Sequence, residues 1–164
     1  MKKCYNYNGD IMKKVFISML FITFFLLVGC TKEKSFNCKI DIYNEIDEYK
    51  LIANYKIYYK NTEVLKIEKD EKYISDNEKT LEYFNEYKKL EYENLNNLYG
   101  EVLYNINISD NEVNINSTID KATLDIKKMK KDKYIDRDYI INNKLTTGGI
   151  KDLYENRGAI CEDY

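Results

Sequence analysis

The sequence contains no histidine, no proline and no tryptophan. Without histidine the chain lacks the usual general base of enzymes and the commonest side-chain ligand of transition metals. Serines are few after residue 30, and none lies in the glycine-flanked context of a nucleophile elbow. These absences argue against serine-hydrolase and histidine-metal chemistry. We therefore predict no catalytic constellation, no metal site and no cofactor.

The chain also lacks an apolar run long enough to span a membrane as a helix. Residues 15–28 are apolar except for Ser18 and Thr23, whereas a spanning helix needs about 20 such residues. Lys13 and Lys14 precede the run, and a small residue and a cysteine follow it. A short basic segment, a compact apolar run and a small residue at its end are typical of a cleaved export signal.

The apolar run ends in Leu27, Val28, Gly29 and Cys30, a tetrapeptide that resembles the lipobox of bacterial lipoproteins. The resemblance implies that signal peptidase recognises the first three residues and cleaves before Cys30. It also implies a diacylglyceryl thioether on Cys30. Because two or more acyl chains make a durable membrane anchor, we expect the protein on the outer face of the bacterial cell membrane, held through this lipid.

The signal divides the chain into three parts. The predicted signal peptide covers residues 1–29, and translation begins either at Met1 or at Met12, which starts a complete signal of its own. Residues 30–35 are predicted to be a polar, lipid-anchored tether. Residues 36–164 are predicted to form a single domain, because this length suits one hydrophobic core.

The charge of the mature chain argues against binding to nucleic acid and against electrostatic binding to an anionic membrane surface. Cleavage removes four lysines and one aspartate, which leaves 22 basic and 27 acidic residues and a net charge of −5. Nucleic-acid-binding domains are typically strongly basic, so we expect no nucleic acid partner. An anionic membrane surface also attracts basic segments, so the lipid is expected to provide the anchoring.

The cysteines suggest a covalent cross-link. Cys4 is lost with the signal and Cys30 is lipidated, which leaves Cys38 and Cys161. Exported proteins meet a space in which disulfides persist, and two remaining cysteines near opposite ends of a domain predict one disulfide. Two buried free thiols are the alternative. Two cysteines without a histidine do not make a convincing metal site.

Alternation of apolar and polar residues predicts the strands of the domain. Period-two segments begin near Phe36 and Leu51 and continue over residues 64–68, which predicts a three-stranded antiparallel meander. Two further segments, beginning near Val102 and Val113, flank a turn cluster and predict a hairpin.

Helix signals lie between these strands and after them. Ser75 and Glu78 have the spacing of a capping box, which predicts a helix from there to about Leu98. Glu91 falls within the apolar face of this helix. Either its carboxylate reaches solvent at the rim, or the helix bends or ends near Leu90.

The C-terminal part completes the predicted topology. The basic residues 127–133 are interpreted as a solvated loop or, alternatively, as a patch that contacts phosphate groups. Thr146 and Thr147 predict the start of a last helix that ends near Asn156. The predicted order is β-β-β-α-β-β-α, an α+β fold in which helices pack on one face of an antiparallel sheet of about five strands.

The whole arrangement is similar to the YehR-like small bacterial lipoproteins. The shared features are the lipobox, a cysteine in the first strand of the mature domain, hairpins and a capped helix. Residues 158–161 also resemble a closing Gly-x-x-Cys motif of such proteins. This resemblance implies a fold and a cellular address, and it implies no activity.

Two functional classes follow from these observations. The favoured one is a lipid-anchored, non-catalytic binding module whose partner is an extracytoplasmic protein or glycan. The 17 tyrosines would then supply an aromatic surface, unless they lie half-buried in the sheet. The alternative is an extracytoplasmic hydrolase of cell-wall or glycan material, which requires two carboxylates about 5–10 Å apart in a cleft.

Overall fold

Segments with period-two alternation form the five long strands of one antiparallel sheet. The computed structural model of the protein describes residues 32–135 and 139–162. The long strands are β1 (Lys34–Asn44), β2 (Tyr49–Lys60), β3 (Glu63–Ile74), β4 (Gly100–Ser109) and β5 (Glu112–Leu124). The first three strands form the predicted meander, and β4 and β5 form the predicted hairpin.

The remaining elements within residues 32–135 and 139–162 are three helices and three two-residue strands. They are α1 (Glu78–Leu98), α2 (Ile126–Lys131), β6 (Ile140–Ile141), β7 (Lys144–Leu145), α3 (Thr147–Glu155) and β8 (Ile160–Cys161). The main sheet has the order β4-β5-β3-β2-β1-β8 with antiparallel neighbours, while β6 and β7 pair separately. The predicted α+β fold is confirmed, and the sheet has six strands.

One face of the sheet is buried and carries the core. On β1, for example, Phe36, Cys38 and Ile40 are buried, while the intervening Lys39 and Asp41 are exposed. Such alternation places successive side chains on opposite faces of a strand. Helices α1 and α3 lie against this buried face, which we call the inner face.

The third strand is longer than the sequence pattern predicts. The pattern ended at residue 68, but β3 continues to Ile74. Lys69 and Glu71 interrupt the apolar alternation, yet Tyr73 beyond them is buried on the inner face. The interruption hid the strand because a charged residue on an inner face needs a partner that sequence alone does not reveal.

The predicted capping role of Ser75 is wrong. The N-cap of α1 is Asn77, whose side chain accepts a hydrogen bond from the backbone N–H of Lys79 at 3.0 Å. Ser75 instead donates its hydroxyl to the carbonyl of Glu48 at 2.8 Å and accepts from the N–H of Asn77 at 3.1 Å. Its side chain therefore fixes the turn before the helix rather than the first turn of the helix.

The basic segment at residues 127–133 is only partly a loop. Its first half belongs to α2, which begins after Asp125, and the carboxylate of Asp125 accepts from the N–H of Lys128. The ammonium of Lys128 donates to the carbonyl of Leu98 at 2.9 Å. This contact stabilises the C-terminal end of α1, where carbonyl groups lack helical partners.

The predicted signal peptide and the predicted lipobox at residues 27–30 lie outside the described residues. The predicted tether overlaps them in part, and residues 34 and 35 already belong to β1. From residue 32 to 135 and from 139 to 162, no helix combines the length and the apolar content that crossing a membrane requires.

Candidate functional site

A cleft of about 670 Å³ opens over the inner face of the sheet, between α1 and α3. Its floor is formed by side chains of β3 and β5, namely Ile67, Lys69, Ile119 and Leu124. One wall is a side of α1, and the other wall belongs to α3 and the segments next to it. Ligand sites of proteins usually occupy concave, largely apolar spaces of this size.

The wall from α1 follows from the spacing of its residues. Tyr87, Leu90 and Asn94 are three or four positions apart and line the cleft together with Glu91 and Leu95, because such positions share one side of a helix. Tyr87 is 49% exposed and Leu90 is 56% exposed. These two side chains therefore form an apolar rim that is open to solvent.

Another side of α1 packs into the core. Leu81, Tyr92 and Leu95 are buried. The hydroxyl of Tyr92 shares a hydrogen bond of 2.9 Å with the hydroxyl of Ser117 on β5, and its ring stacks on Tyr104 with centroids 4.9 Å apart. Tyr92 fixes the distance between α1 and the sheet, and thus the width of the cleft.

A buried ionic cluster adjoins the cleft. Lys88 of α1 places its ammonium 3.1 Å from the carboxylate of Glu71 on β3 and 3.2 Å from the carboxylate of Glu91. The other carboxylate oxygen of Glu71 accepts a hydrogen bond of 2.9 Å from the hydroxyl of Tyr55. Helix α1 continues to Leu98 and does not end near Leu90. The carboxylate of Glu91 is instead held at the wall of the cleft by the ammonium of Lys88.

The cluster favours the charged forms of its members. Burial raises the pKa of Glu71, but the ammonium groups of Lys88 and Lys69 lower it more, so it lies below its usual value. Burial lowers the pKa of Lys88, but the carboxylates of Glu71 and Glu91 and the neighbouring tyrosines together raise it more, so the net shift is upward. Burial and the Glu71 carboxylate raise the pKa of Tyr55, which therefore keeps its proton and donates it.

The wall from α3 is held against the sheet by an aromatic pair. Tyr154 is buried and stacks on Tyr55, with ring centroids 4.2 Å apart and an interplanar angle of 10°. Thr146 is the N-cap of α3, as the sequence predicted, and accepts a hydrogen bond from the N–H of Gly149. The helix ends at Glu155, and Arg157, which follows it, lines the cleft.

A disulfide joins Cys38 of β1 to Cys161 of β8 in the structure. The two residues are directly opposite each other in the register of the sheet. Next to them, the N–H of Glu162 donates to the carbonyl of Asn37 at 2.9 Å. Because β8 follows α3 closely in sequence, these bonds tie the α3 wall to the edge of the sheet.

The tyrosines separate into buried and exposed groups. Six lie in the core of the described part of the chain: Tyr55, Tyr59, Tyr73, Tyr92, Tyr99 and Tyr154. Tyr83 and Tyr87 on α1 are exposed and stack with centroids 5.8 Å apart. Tyr134 is 43% exposed at the cleft, where burial raises its pKa to about 12.

The buried carboxylate does not have the properties of a general acid. In a glycosidase pair, one carboxyl needs a raised pKa so that it is protonated at neutral pH. The pKa of Glu71 is lowered, and Glu71 and Glu91 are bound to the same ammonium. Within the described ranges, no group of three or more Asp, Glu, Cys or His side chains has the arrangement of a metal site.

Sequence reasoning missed Lys69 and Glu71, the two charged residues of β3 on the inner face. The sequence did contain a sign that the strand continues. Ile67 and Tyr73 lie six residues apart, and an even spacing places both on the same, buried face of one strand. A strand drawn through that interval would have placed both charges inward. The partner of Glu71 on α1 could not be found in the same way, because it depends on how α1 crosses the sheet.

Comparisons with known proteins identify the fold. The structure is similar to the NMR structure of the E. coli YehR protein, with a TM-score of 0.52 and 16% sequence identity, over 81% of this chain and 93% of that one. It also matches the NMR structure of a protein from Streptococcus pneumoniae TIGR4, with a TM-score of 0.45 and 17% identity, over 82% of this chain and 88% of that one. No protein-family model and no curated protein matches the chain. At these identities, the similarity to YehR establishes a shared fold.

Proposed function

We propose that this protein is a lipid-anchored, non-catalytic binding module on the outer face of the bacterial cell membrane, and that its ligand site is the cleft between α1 and α3. The observation that carries the proposal is the cleft itself, with an apolar rim at Tyr87 and Leu90 that is open to solvent. Exposed apolar surface at a concave site is a feature of ligand-binding and partner-binding surfaces.

The anchor is proposed from the sequence. Residues 27–30 have the lipobox pattern after a short apolar run, and diacylation of Cys30 would hold the chain durably at a membrane. A binding site on such a domain stays within a short distance of the membrane surface. Ligands or partners outside the cell would therefore be met there.

The ionic cluster supports binding rather than hydrolysis. The ion pair of Lys88 and Glu71, together with the hydrogen bond from the Tyr55 hydroxyl to Glu71, holds α1 at a fixed position over β3. Its carboxylates are engaged by Lys88, and an engaged, ionised carboxylate does not donate a proton to a leaving group. We therefore favour the binding module over a carboxylate-dependent hydrolase.

The proposal is tested by photo-crosslinking on whole cells that express the full chain. A benzophenone amino acid replaces Leu90 at the cleft rim in one strain. In a matched strain it replaces Leu103, which is 62% exposed on the opposite face of the sheet. Irradiation should give discrete adducts at Leu90 that are absent at Leu103. Equal adducts at both positions, or none at Leu90, would contradict a binding role for the cleft.

A further inference from the structure

The two edges of the main sheet differ in how they are protected. At one edge, β8 and its disulfide cover the middle of β1, which also exposes charged side chains at Lys39 and Asp41. At the other edge lies β4, and no strand of the described chain pairs with its outward side. Residues 102–109 of β4 include no charged residue. A long edge strand without charges is suited to pairing with another strand.

The unpaired backbone groups of β4 belong to Tyr104, Ile106 and Ile108. The N–H of Val102 donates to the side-chain oxygen of Asn96 at 2.6 Å, so Val102 directs its backbone away from β5. In an antiparallel ladder every second residue points its N–H and C=O to the same side, and the pairing with β5 is regular from Val102 onward. The three residues named first therefore direct their N–H and C=O groups to the open edge.

The open segment has a defined start and a defined end. Asn96 of α1 occupies the edge at Val102, and β4 ends at Ser109, where a turn leads into β5. A second copy of β4 fits between these limits when an antiparallel pair is centred on Ile106. The turn of the second copy then lies next to Val102, and the pairing stops there at both ends.

The side chains on the inner face suit this arrangement. Helix α1 covers the start of β4, where Val102 is buried, whereas Ile108 near the end is 53% exposed. In the antiparallel pair the covered start of each strand lies beside the uncovered end of the other, so the two α1 helices are offset. Tyr104 of one copy then packs on Ile108 of the other, and the two Ile106 side chains pack on each other.

The side chains on the opposite face of β4 are also complementary to their own copy. Asn105 would lie opposite Asn107 of the second copy, and a side-chain amide has both donors and an acceptor. Like charges do not meet along residues 102–109, because this segment has no charged residue. A surface that matches its own copy about a two-fold axis gives a closed dimer.

We propose that two copies of this protein form a dimer through antiparallel pairing of their β4 strands, about a two-fold axis at Ile106. Backbone hydrogen bonds across the edge supply affinity, and the apolar contacts of the inner face add to it. The floor of the cleft belongs to β3 and β5, so the dimer surface is separate from the proposed ligand site.

The first experiment tests the register through two exposed side chains outside the core. Full chains that carry Asn105→Cys or Asn107→Cys are purified separately in mild detergent, mixed and oxidised. The Cα atoms of the two positions would lie about 4.5 Å apart across the edge, within the range of a disulfide, about 4.4–6.8 Å. Either variant alone has its cysteines two residues out of register and should cross-link about tenfold less than the mixture does. Mass spectrometry of the linked peptides identifies the bond.

The second experiment measures the dissociation constant of the dimer by analytical ultracentrifugation of the full chain. Asn105→Lys combined with Asn107→Lys places lysines directly opposite lysines of the second copy and should raise the constant about tenfold. Asn54→Lys combined with Asn116→Lys adds the same charge at exposed positions of that face on β2 and β5, and should change the constant less than about twofold. Circular dichroism checks that both variants are folded.

On whole cells, the strain with benzophenone at Leu103 provides a third readout, because Leu103 lies at the same edge. It should give an adduct of two chains, which differs from the adducts expected at Leu90. A Leu103 adduct with another protein, absence of the mixed disulfide, or a parent that is monomeric at every concentration would overturn the dimer. A disulfide that forms as well in Asn105→Cys alone as in the mixture would overturn the axis at Ile106. The disulfide and the dissociation constant do not involve the cleft, so the dimer and the proposed function fail separately.

Discussion

The ammonium of Lys88 lies 3.1 Å from the carboxylate of Glu71, and the side chains of the two residues are only 12% and 5% exposed. The pair joins α1 to β3 and gives the Glu71 carboxylate, which would otherwise be buried without a counter-charge, its partner. It connects the fold to the cleft, because the same lysine holds Glu91 at the cleft wall.

Removing the lysine should destabilise the domain strongly. Lys88→Met leaves the Glu71 carboxylate buried without its counter-charge, which typically costs about 3–5 kcal/mol. Urea unfolding followed by tyrosine fluorescence measures the change. The neighbouring Lys89→Met alters an exposed residue and should stay within about 0.5 kcal/mol of the parent.

A second substitution should restore much of that loss. Glu71→Gln combined with Lys88→Met removes both charges and keeps an acceptor for the Tyr55 hydroxyl. We expect the double variant to be at least about 2 kcal/mol more stable than Lys88→Met alone, since replacing a buried pair costs less than breaking it. If Lys88→Met unfolds no more easily than Lys89→Met, the cluster does not have the structural role described above.

The ionic cluster also predicts a pH dependence of stability. Because the folded-state pKa of Glu71 is lowered, its contribution is present above its ordinary pKa of about 4.5 and is lost as the pH falls through the folded value. The pKa values of Lys88 and Tyr55 are raised, so their contributions are present at neutral pH and are lost on the alkaline side of pH about 10. Unfolding curves should show a plateau between these limits. The Glu71→Gln variant should lose stability less steeply in acid, and an unchanged acid limb would contradict the assignment.

Gly100 begins β4 at a position that tolerates no side chain. Its φ is +125°, and a Cβ atom there would collide with the carbonyl oxygen of Thr123 on the neighbouring strand. Gly100→Ala should cost about 2–4 kcal/mol, because it combines backbone strain with a backbone clash. Gly148→Ala is the matched control, since a Cβ at that position in α3 meets nothing within 4 Å. It should be neutral or stabilising by up to about 0.5 kcal/mol, as thermal unfolding of the two variants would show.

Reduction of the disulfide should loosen the α3 wall. Cys38 and Cys161 are 123 positions apart, and closing so long a loop contributes up to about 4–5 kcal/mol in the chain-entropy model, often less in practice. Urea unfolding with and without reductant measures the loss. The Cys161→Ala variant should have the free energy of unfolding of the reduced parent protein, and reductant should not change it. A parent protein that is equally insensitive to reductant would indicate free thiols in the purified protein.

The sequence was sufficient for those parts of the fold that local patterns encode. Strands β1, β2, β4 and β5 were found because one face is apolar and the other polar, and the last helix because Thr146 caps it. The end of β3 was missed because Lys69 and Glu71 break that pattern. Helix α2 was missed because its buried residues, Ile126 and Met129, lie among lysines.

The cleft could not be predicted from local patterns. It depends on the gap between α1 and α3, which is set by contacts between distant residues such as Tyr55 with Tyr154 and Tyr92 with Ser117. Tyr92 lies between two glutamates in sequence, so its complete burial is a tertiary effect. The same holds for Lys69, whose position at the floor follows only from the extended β3.

The most direct test of an anchored, exported binding domain is the intact mass of the protein from the membrane fraction, measured with and without reductant. We predict a chain that begins at Cys30, carries the added mass of a diacylglyceryl group, and gains two hydrogens on reduction of Cys38 and Cys161. A chain that retains residues 1–29 and carries no lipid would contradict the proposed anchor and, with it, the proposed site of action.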